Sequence, residues 1–433
     1  MGEYKESGIK WIGKIPQNWE IKRIKHIYNL QTGFTPDTSN IEYYDDENGF
    51  TWVSIADMNK KYISTSKTKI SKLYVKEKHP QKVKKGSLLY SFKLSVGKMA
   101  FNEVDLYTNE AIASFINNEK VCLDYLYYAG YLIEYNSNIN IYGAKILNQN
   151  LINNAVIVNP PYNEQRKIAE FLNKKILKIE NILENLNKQI DILNNYKKSK
   201  ITEVVKNGLK RNVEKKDSGI DWIGKIPNNW KISKINYIAK INGRIGFKGY
   251  SQEDLVDEGE GAYTIGGEHI TNNIIDLTNP KFISWKKYFE SPEIMVKKGD
   301  IIIAQRGTLG KVAIVEKEIG KATINPSLAI LNNLKIYGKY LYYFLLSDVN
   351  QTEIILDNTT TAIPMISQRQ ISRFNVIIPS DKEQVEISNY LDKECEKIHS
   401  FIEIKKQQII QLENYKESLI YEYVTGKKRV KGE

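Results

Sequence analysis

The sequence repeats itself, and this internal duplication constrains the fold more than any other feature. The segment SGIKWIGKIPQNWEIKRI at residues 7–24 recurs as SGIDWIGKIPNNWKISKI at residues 218–235, with 13 of 18 positions identical. Two further pairs of segments match at nearly the same offset: 83–101 with 296–314, and 159–172 with 378–391. A chain built in this way contains two units of one design.

Each unit has the same two-part layout. Its first part mixes short apolar runs such as DIIIAQ, bounded by turn residues, with short amphipathic segments such as YLYYAGYLI, which predicts strands and short helices. Its second part is a single long helix. The sequence therefore predicts an α+β fold with two homologous globular domains, two long helices and pseudo-two-fold symmetry. The predicted domain ranges are 1–160 and 213–379 for the globular domains, and 161–212 and 380–433 for the helices.

The helical part of each unit carries a coiled-coil pattern. Residues 164–206 contain neither Gly nor Pro, and apolar residues recur there at alternating steps of four and three. The predicted stripe is Leu172, Ile176, Ile179, Leu183, Leu186, Ile190 and Leu193 in the first helix, and Leu391, Ile398, Ile402, Ile409 and Leu412 in the second. Each helix of about 40 residues would be about 60 Å long.

A single apolar stripe needs a partner helix. The two stripes match in register and each occurs once, so each is the simplest partner for the other. A pseudo-two-fold axis perpendicular to the helices would make them antiparallel and place the globular domains at opposite ends. The alternative is two independent helices that pair with helices of other chains.

The charge of the chain favours a polyanionic partner. The chain has 63 Lys and Arg residues against 51 Asp and Glu residues, which gives a net charge of +12. Its hydrophobic content of 41% is ordinary for a globular protein. Nucleic acid and an anionic membrane surface are the two candidates. We find neither an apolar run of the roughly 18 residues that span a bilayer nor a signal-peptide core, and therefore expect a cytoplasmic protein without a membrane partner.

Sequence motifs for catalysis are incomplete. The segment NPPY at residues 159–162 matches the motif with which amino-methyltransferases hold an exocyclic amine, so an N6-adenine DNA methyltransferase is the alternative function. The repeat has IPSD at residues 378–381 instead, and no Gly-rich cofactor-binding motif precedes NPPY. His and Cys residues lack metal-ligand spacing. We predict no catalytic residue and no metal site on this chain.

Loops between the predicted strands carry the residue types that contact DNA. Arg and Lys pair with guanine edges or phosphates, and Thr pairs with phosphates or a thymine methyl group. The candidates are Thr35, Lys93, Ser95, Lys98, Tyr142 and Lys145 in the first unit, and Arg244, Lys248, Arg306, Thr308, Lys311 and Thr360 in the second. Lys98 and Lys311 occupy equivalent repeat positions, which suits a shared phosphate contact. A third interpretation of the chain is a structural scaffold whose positive charge only aids solubility.

Several segments also match the pattern of one protein family. The opening motif GIxWIGxIPxxWxI stands at Gly8–Ile21 and again at Gly219–Ile232. The other matching segments are Thr32–Pro36 with Trp52–Met58, Lys298–Ile301 with Gly310–Ala313, and Pro160–Gln165 at the start of the first long helix. Over essentially its whole length, the chain resembles the specificity subunit of type I restriction-modification enzymes.

The resemblance implies a non-catalytic reader of double-stranded DNA. Each globular domain would be a target-recognition domain for one half of a bipartite sequence, and the paired helices would be conserved spacers that set the half-site spacing. The helices would also dock two modification (methyltransferase) subunits, and restriction (translocase) subunits can join such a complex. S-adenosylmethionine, ATP and Mg²⁺ would be held by those partners, and this chain would hold no cofactor.

Overall fold

A computed structural model describes residues 3–93, 95–139, 145–210, 212–244, 249–357 and 364–430. The chain forms two compact units, which are described separately below. Unit 1 comprises residues 1–185 and 408–433, and unit 2 comprises residues 186–407. Unit 1 therefore joins the beginning of the chain to its end.

The strands of the first globular region are short. Strands β1 to β14 span Tyr4–Glu6, Lys14–Pro16, Glu20–Arg23, Leu30–Thr32, Phe50–Val53, Tyr62–Ile63, Lys69–Ile70, Leu88–Ser91, Met99–Asn102, Tyr107–Thr108, Ile112–Phe115, Asn138–Ile139, Lys145–Ile146 and Val156–Asn159. Helices α1 to α3 span Lys72–Lys78, Leu123–Ala129 and Gln149–Asn154, and the long helix α4 spans Tyr162–Asn207.

The main sheet of unit 1 has the strand order β4-β11-β8-β9-β6. Its central strand β8 is buried on both faces because side chains alternate between two clusters. Leu88 and Tyr90 pack in one cluster with Leu126 of α2, whereas Leu89 packs in another with Val53 of β5. A second sheet has the order β10-β5-β7, and β3 pairs with β14, which joins the two ends of the globular region.

Unit 2 repeats this design. Strands β15 to β28 span Lys215–Asp217, Lys225–Pro227, Lys231–Lys234, Lys240–Gly243, Leu255–Val256, Gly261–Ile265, Ile270–Thr271, Ile274–Ile275, Phe282–Ser284, Ile301–Ala304, Val312–Ile314, Ala322–Ile324, Leu328–Asn332 and Asn375–Ile378. Helices α5 to α10 span Ile235–Ile238, Trp285–Phe289, Gly338–Leu346, Asp348–Asp357, Gln368–Ile371 and Asp381–Val424.

The sheets of unit 2 correspond to those of unit 1. The order β18-β27-β24-β25 matches β4-β11-β8-β9, and β17 pairs with β28 as β3 pairs with β14. A second sheet has the order β19-β23-β20-β26. The predicted α+β fold with an internal duplication is confirmed.

In each unit a repeated tryptophan contacts the first turn of a long helix. The Trp19 indole nitrogen donates to the Glu164 carboxylate of α4 at 2.9 Å, and Trp230 donates to Glu383 of α10 at 3.3 Å. Arg429, which follows α10, also donates to Glu164, at 2.9 Å to each oxygen. The duplicated opening motif therefore anchors the helix that follows its own globular region.

A buried tyrosine in each unit joins the globular region to both long helices. The Tyr125 hydroxyl lies 2.9 Å from a carbonyl oxygen of β14, which precedes α4, and 3.1 Å from that of Val424, the last residue of α10. In unit 2 the Tyr340 hydroxyl lies 2.8 Å from a carbonyl oxygen of β28 and 3.4 Å from that of Val205, near the end of α4. Each unit thus holds the start of one long helix and the end of the other.

The long helices pair in antiparallel fashion within each unit. In unit 1, Phe171 packs against Tyr423 with ring centroids 4.5 Å apart, and Glu180 forms an ion pair with Lys416 at 2.7 Å. From the first contact to the second, the residue number rises on α4 and falls on α10. The two helices are therefore antiparallel. The helix pairing predicted within one chain is confirmed.

Unit 2 shows the same pairing. Lys405 of α10 donates to the Gln189 side chain of α4 at 2.6 Å. Every residue of the predicted stripes is buried or half-buried: Leu172, Ile176, Ile179, Leu183, Ile409 and Leu412 in unit 1, and Leu186, Ile190, Leu193, Leu391, Ile398 and Ile402 in unit 2. The helices α4 and α10 are each followed by a glycine in the left-handed region, Gly208 with φ 76° and Gly426 with φ 75°.

Within the described residues, none of the helices has an apolar stretch of the length needed to cross a bilayer.

Helix α8 of unit 2 carries a buried glutamate. The Glu353 side chain is 7% exposed, and its two oxygens accept from the Asn375 backbone amide at 3.2 and 3.0 Å. Burial, with a smaller contribution from the Asp357 charge, raises the pKa of Glu353 to about 7, although hydrogen bonds from Asn375 and the charge of Lys234 act in the opposite direction. Near neutral pH this carboxyl group is therefore only partly ionised.

We expect unit 2 to lose stability as the pH rises from about 4.5 to about 7. The folded pKa lies above the unfolded value, so the stabilising contribution is complete below the unfolded pKa and lost as pH passes the folded pKa. A shift of this size corresponds to roughly 3 kcal/mol. The variant Glu353→Gln stays neutral throughout, and its melting temperature should fall less than that of the wild type between pH 5 and pH 8.

The control is Glu258→Gln, which changes an exposed glutamate of the same unit and should follow the wild type. An equally steep decline for Glu353→Gln and the wild type would exclude Glu353 as the source.

Candidate nucleic-acid interface

Three loops of unit 1 meet at one end of its main sheet. The registers place Thr32 of β4 opposite Ala113 of β11, and Ser91 of β8 opposite Ile112. The chain therefore leaves β4 and β8, and enters β11, at the same end of the sheet. We call residues 33–36, 92–93, 95–98 and 109–111 the unit 1 loop end.

A close approach between two of these loops requires glycine. The Phe34 amide donates to the Thr108 carbonyl at 2.9 Å, and a Cβ atom on Gly33 would lie 1.9 Å from that same oxygen. A side chain at position 33 would push the loop after β4 away from the turn before β11. This glycine belongs to the Thr-Gly-Phe-Thr-Pro motif of the sequence.

Four predicted contact residues lie exposed in the unit 1 loop end: Thr35, Lys93, Ser95 and Lys98. The Thr35 hydroxyl donates to the carboxylate of Glu110, an exposed residue that our sequence reasoning did not select. This hydrogen bond, with a smaller contribution from the charge of Lys93, lowers the pKa of Glu110, while burial acts in the opposite direction. The structure thus brings a hydroxyl group, an ammonium group and a carboxylate together.

Unit 2 has a corresponding surface. Gly243 of β18 lies opposite Ala329 of β27, and Ala304 of β24 lies opposite Leu328, so β18 and β24 end, and β27 begins, at the same end of the sheet. The Gly307 amide donates to the Pro364 carbonyl at 3.0 Å, which brings the segment that begins at Pro364 to the same end. We call residues 305–311, 325–327 and 364–366 the unit 2 loop end.

The predicted residues of unit 2 differ in their accessibility. Arg306 and Thr308 are exposed in the unit 2 loop end. Lys311 is half-buried, and its ammonium group donates to the Gly267 carbonyl at 3.1 Å. Its repeat equivalent Lys98 is exposed, so the two lysines do not share one environment. A common phosphate contact remains a prediction for this pair.

Arg244, which we predicted as a DNA-contacting loop residue, lies inside unit 2. Its side chain is 5% exposed, and its guanidinium donates to the Ile324 carbonyl at 3.3 Å and to the Thr323 hydroxyl at 3.2 Å. The guanidinium also lies 5.4 Å from the Tyr250 ring centroid. Burial lowers the pKa of this group. The Arg244 guanidinium is therefore held by buried acceptors of unit 2 rather than presented as a cation to solvent.

Several predicted contacts lie outside what the structure describes. Tyr142, Lys248 and Thr360 fall outside the described residues. For Lys145 only the backbone is described, as the first residue of β13. These four assignments stay predictions.

A lysine–tyrosine cluster where the globular region meets α4 was also missed. The Lys61 ammonium lies 4.5 Å from the Tyr127 ring centroid and donates to the Asn173 side chain of α4 at 2.6 Å. Burial lowers the pKa of Lys61. Together with Lys60 and Lys98 it lines a cavity of about 860 Å³. Only the adjacent basic and aromatic residues at 60–62 signalled this cluster in the sequence.

Comparison with known proteins gives the family. A family model described as "Type I restriction modification DNA specificity domain" matches residues 16–194 and again residues 227–426. The chain belongs to this family. Specificity domains therefore account for most of its length, with one copy in each repeat.

Full-length relatives carry the corresponding descriptions. The chain is 27% identical to a "Putative type I restriction enzyme MjaX specificity subunit" of Methanocaldococcus jannaschii, over 99% of this chain and 98% of that protein. It is 25% identical to the MjaIX specificity subunit of the same organism, over 99% and 97%.

A solved structure supports the fold. A chain described under "Structural basis underlying complex assembly and conformational transition of the type I R-M system" superposes with a TM-score of 0.69 at 14% identity. The match covers 96% of this chain and 99% of that one.

In this specificity-domain protein the NPPY segment forms the entry to a helix. Asn159 ends β14, and its side-chain oxygen accepts from the side-chain amide of Gln165 at 3.1 Å. The same amide donates to the Pro160 carbonyl at 2.8 Å, and Gln384 donates to the Pro379 carbonyl at 3.0 Å in the other repeat. The repeat makes this contact without the motif, so the contact is structural. Among the described residues, no three His, Cys, Asp or Glu side chains group as metal ligands would.

The two arginines of unit 2 should respond differently to alanine. Arg306→Ala should weaken DNA binding about fivefold or more at unchanged melting temperature, because the exposed side chain has a role only when DNA is bound. Arg244→Ala should lower the free energy of unfolding by about 1–3 kcal/mol, because it leaves buried acceptors unpaired. Anisotropy titrations of the full chain at low and moderate salt, together with thermal unfolding, measure both effects.

Arg306→Ala should also make the salt dependence of binding shallower by about one unit of the log–log slope if the guanidinium meets a phosphate. Equal destabilisation by both variants would contradict the exposed role of Arg306.

Proposed function

We propose that this chain is the DNA-recognition subunit of a type I restriction-modification complex, in which each unit reads one half of a bipartite target. The observation that carries this proposal is the pair of loop ends. The same strand order supports both, yet their exposed side chains differ, with Thr35, Lys93 and Glu110 in unit 1 and Arg306 and Thr308 in unit 2. Two different surfaces on one scaffold suit two different half-sites.

The net charge of +12 supports DNA as the partner. Neutralising phosphates with lysine and arginine releases counterions, which gives affinity without sequence preference. The exposed hydroxyl, ammonium, guanidinium and carboxylate groups of the loop ends are the types that distinguish base edges in the major groove. Affinity and selectivity would thus come from different residues.

The paired helices would act as the spacer between half-sites. Each unit holds the start of one helix and the end of the other through a buried tyrosine hydroxyl. These contacts attach each globular region to a pair of helices. A pair of packed helices bends less than a single helix. The length of the helix pair, which the buried apolar stripes hold in register, would define the number of unread base pairs between the half-sites.

Exposed apolar residues on the helices would dock two methyltransferase subunits. In unit 2, Tyr196 of α4 is 51% exposed and Phe401 of α10 is 55% exposed. Their repeat equivalents in unit 1 are Tyr415, 54% exposed, and Ile182, 47% exposed. Two equivalent apolar pairs, one in each unit, suit two copies of one partner.

The chemistry would belong to those partners. Methyl transfer would use S-adenosylmethionine on the modification subunits, and ATP and Mg²⁺ would serve restriction subunits when these are present. This chain would contribute recognition without catalysis in a cytoplasmic complex. The N6-adenine methyltransferase alternative is not favoured, because NPPY serves a helix entry whose main contact recurs in the other repeat.

A matched deletion tests the spacer. Removing residues 183–189 from α4 and residues 405–411 from α10 deletes one heptad from each helix and keeps both stripes in register. The helices shorten by about 10 Å, close to three base pairs. We expect the recognised spacer to shorten by about three base pairs, or methylation to be lost because the half-sites rotate by about 100° about the DNA axis.

Methylome sequencing of host cells that carry the deletion variant measures this result. Cells with the wild-type gene and cells without the gene are the references. Deleting only residues 183–189 is the control, and it should destabilise the helix pair because the stripes no longer match. Altered letters within either half-site would contradict the spacer role. A wild-type gene that leaves the methylome unchanged would contradict the proposed function.

Partner docking predicts a change in stoichiometry. The double variant Tyr196→Ser, Phe401→Ser should lose one methyltransferase copy per chain, because burying serine gains far less free energy than burying an aromatic ring. Native mass spectrometry of the co-purified complex measures the ratio. His399→Ser changes an exposed residue on the other flank of the α10 stripe and should keep both copies. Retention of two copies by the double variant would argue against this surface.

A further inference from the structure

Glu110 occupies a hydrogen-bonded turn in the unit 1 loop end. The Asn109 side-chain oxygen accepts from the Ala111 amide at 3.2 Å, and the Asn109 carbonyl accepts from the Ile112 amide at 3.2 Å. The turn is also bound on one flank, where the Phe92 amide donates to the Ala111 carbonyl at 2.9 Å. Main-chain bonds and one asparagine side chain therefore fix its backbone.

The turn lies between the two loops that carry the candidate DNA contacts. On one side, the Phe34 amide donates to the Thr108 carbonyl, next to Thr35. On the other side, Phe92 precedes Lys93. The Glu110 side chain is exposed and accepts a hydrogen bond from the Thr35 hydroxyl. The carboxylate is thus oriented at the centre of the surface.

Unit 2 builds the same turn without a carboxylate. The Asn325 side-chain oxygen accepts from the Ser327 amide at 2.9 Å, and its carbonyl accepts from the Leu328 amide at 3.2 Å. The Gln305 amide donates to the Ser327 carbonyl at 2.9 Å, as Phe92 does to Ala111. The position of Glu110 is taken by Pro326. The fold therefore does not require an acid here, and Glu110 is left for a role specific to unit 1.

A carboxylate on a DNA-binding surface is costly unless it meets a donor. It repels phosphates and accepts hydrogen bonds only. In the major groove the donors are the amino groups of cytosine and adenine. Adenine presents its N7 acceptor beside the amino group, and a carboxylate has no proton for N7. Cytosine N4 lacks such a neighbouring acceptor on its own ring, and is the usual partner of glutamate.

We propose that Glu110 determines specificity in unit 1 by accepting a hydrogen bond from the N4 amino group of a cytosine in its half-site. This inference rests on the proposed function. Thr35 is a positioning residue in this arrangement, because its hydroxyl holds the carboxylate in place. Pro326 offers no such acceptor, so unit 2 reads its half-site with other groups.

The test compares methylomes of host cells that carry the full complex with wild-type chain, Glu110→Gln, Glu110→Ala or Glu103→Gln. Glu103 is an exposed glutamate of unit 1 outside the loop end, and Glu103→Gln should keep both half-sites. In Glu110→Gln and Glu110→Ala, one cytosine position of one half-site should become degenerate, with discrimination reduced about 5- to 100-fold. The other half-site should keep its letters, and the melting temperature should stay at the wild-type value.

Three outcomes would overturn the inference: both half-sites keep their letters, the degenerate position is not a cytosine paired with guanine, or all methylation disappears at an unchanged melting temperature. A wild-type chain that directs no methylation would instead remove the proposed function itself, and the inference with it. The two failures are therefore distinguishable from the same experiment.

Discussion

Each unit depends on a tyrosine hydroxyl buried between two carbonyl oxygens. Tyr125 and Tyr340 reach a carbonyl of the last strand of their globular region and a carbonyl at the end of the long helix that completes the unit. A buried carbonyl that loses its donor costs about 1–3 kcal/mol. Strand, helix start and helix end are therefore coupled, and the beginning and end of the chain fold as parts of one body in unit 1.

The apolar stripes extend this coupling along the helices. Ile176 and Leu391 are buried at positions 215 residues apart in sequence, each in the hydrophobic cluster of its own unit. Burial of these side chains favours the pairing of the helices, and solvent-exposed polar contacts such as Lys416 with Glu180 add little to it. The surface loops then contribute little to stability, which leaves them free to differ between the units.

The sequence predicted the architecture well and the site less well. The duplication and the heptad stripes depend on residue spacing, which a sequence displays directly. The burial of Arg244 could not be predicted, because its acceptors Thr323 and Ile324 lie about 80 residues away in the sequence. Lys311 could not be distinguished from Lys98 for the same reason, since the Gly267 carbonyl is distant in sequence. Glu110 was overlooked because our search of the loops favoured cations and hydroxyl groups.

The turn that carries Glu110 in unit 1 and Pro326 in unit 2 has an evolutionary consequence. Its frame is made by an asparagine and by main-chain atoms, so the outward residue can be exchanged with little penalty to folding. The structure thus allows the two halves of the gene to vary independently at this position. The number of distinct pairings available to a lineage then grows as the product of the variants in each half, rather than as their sum.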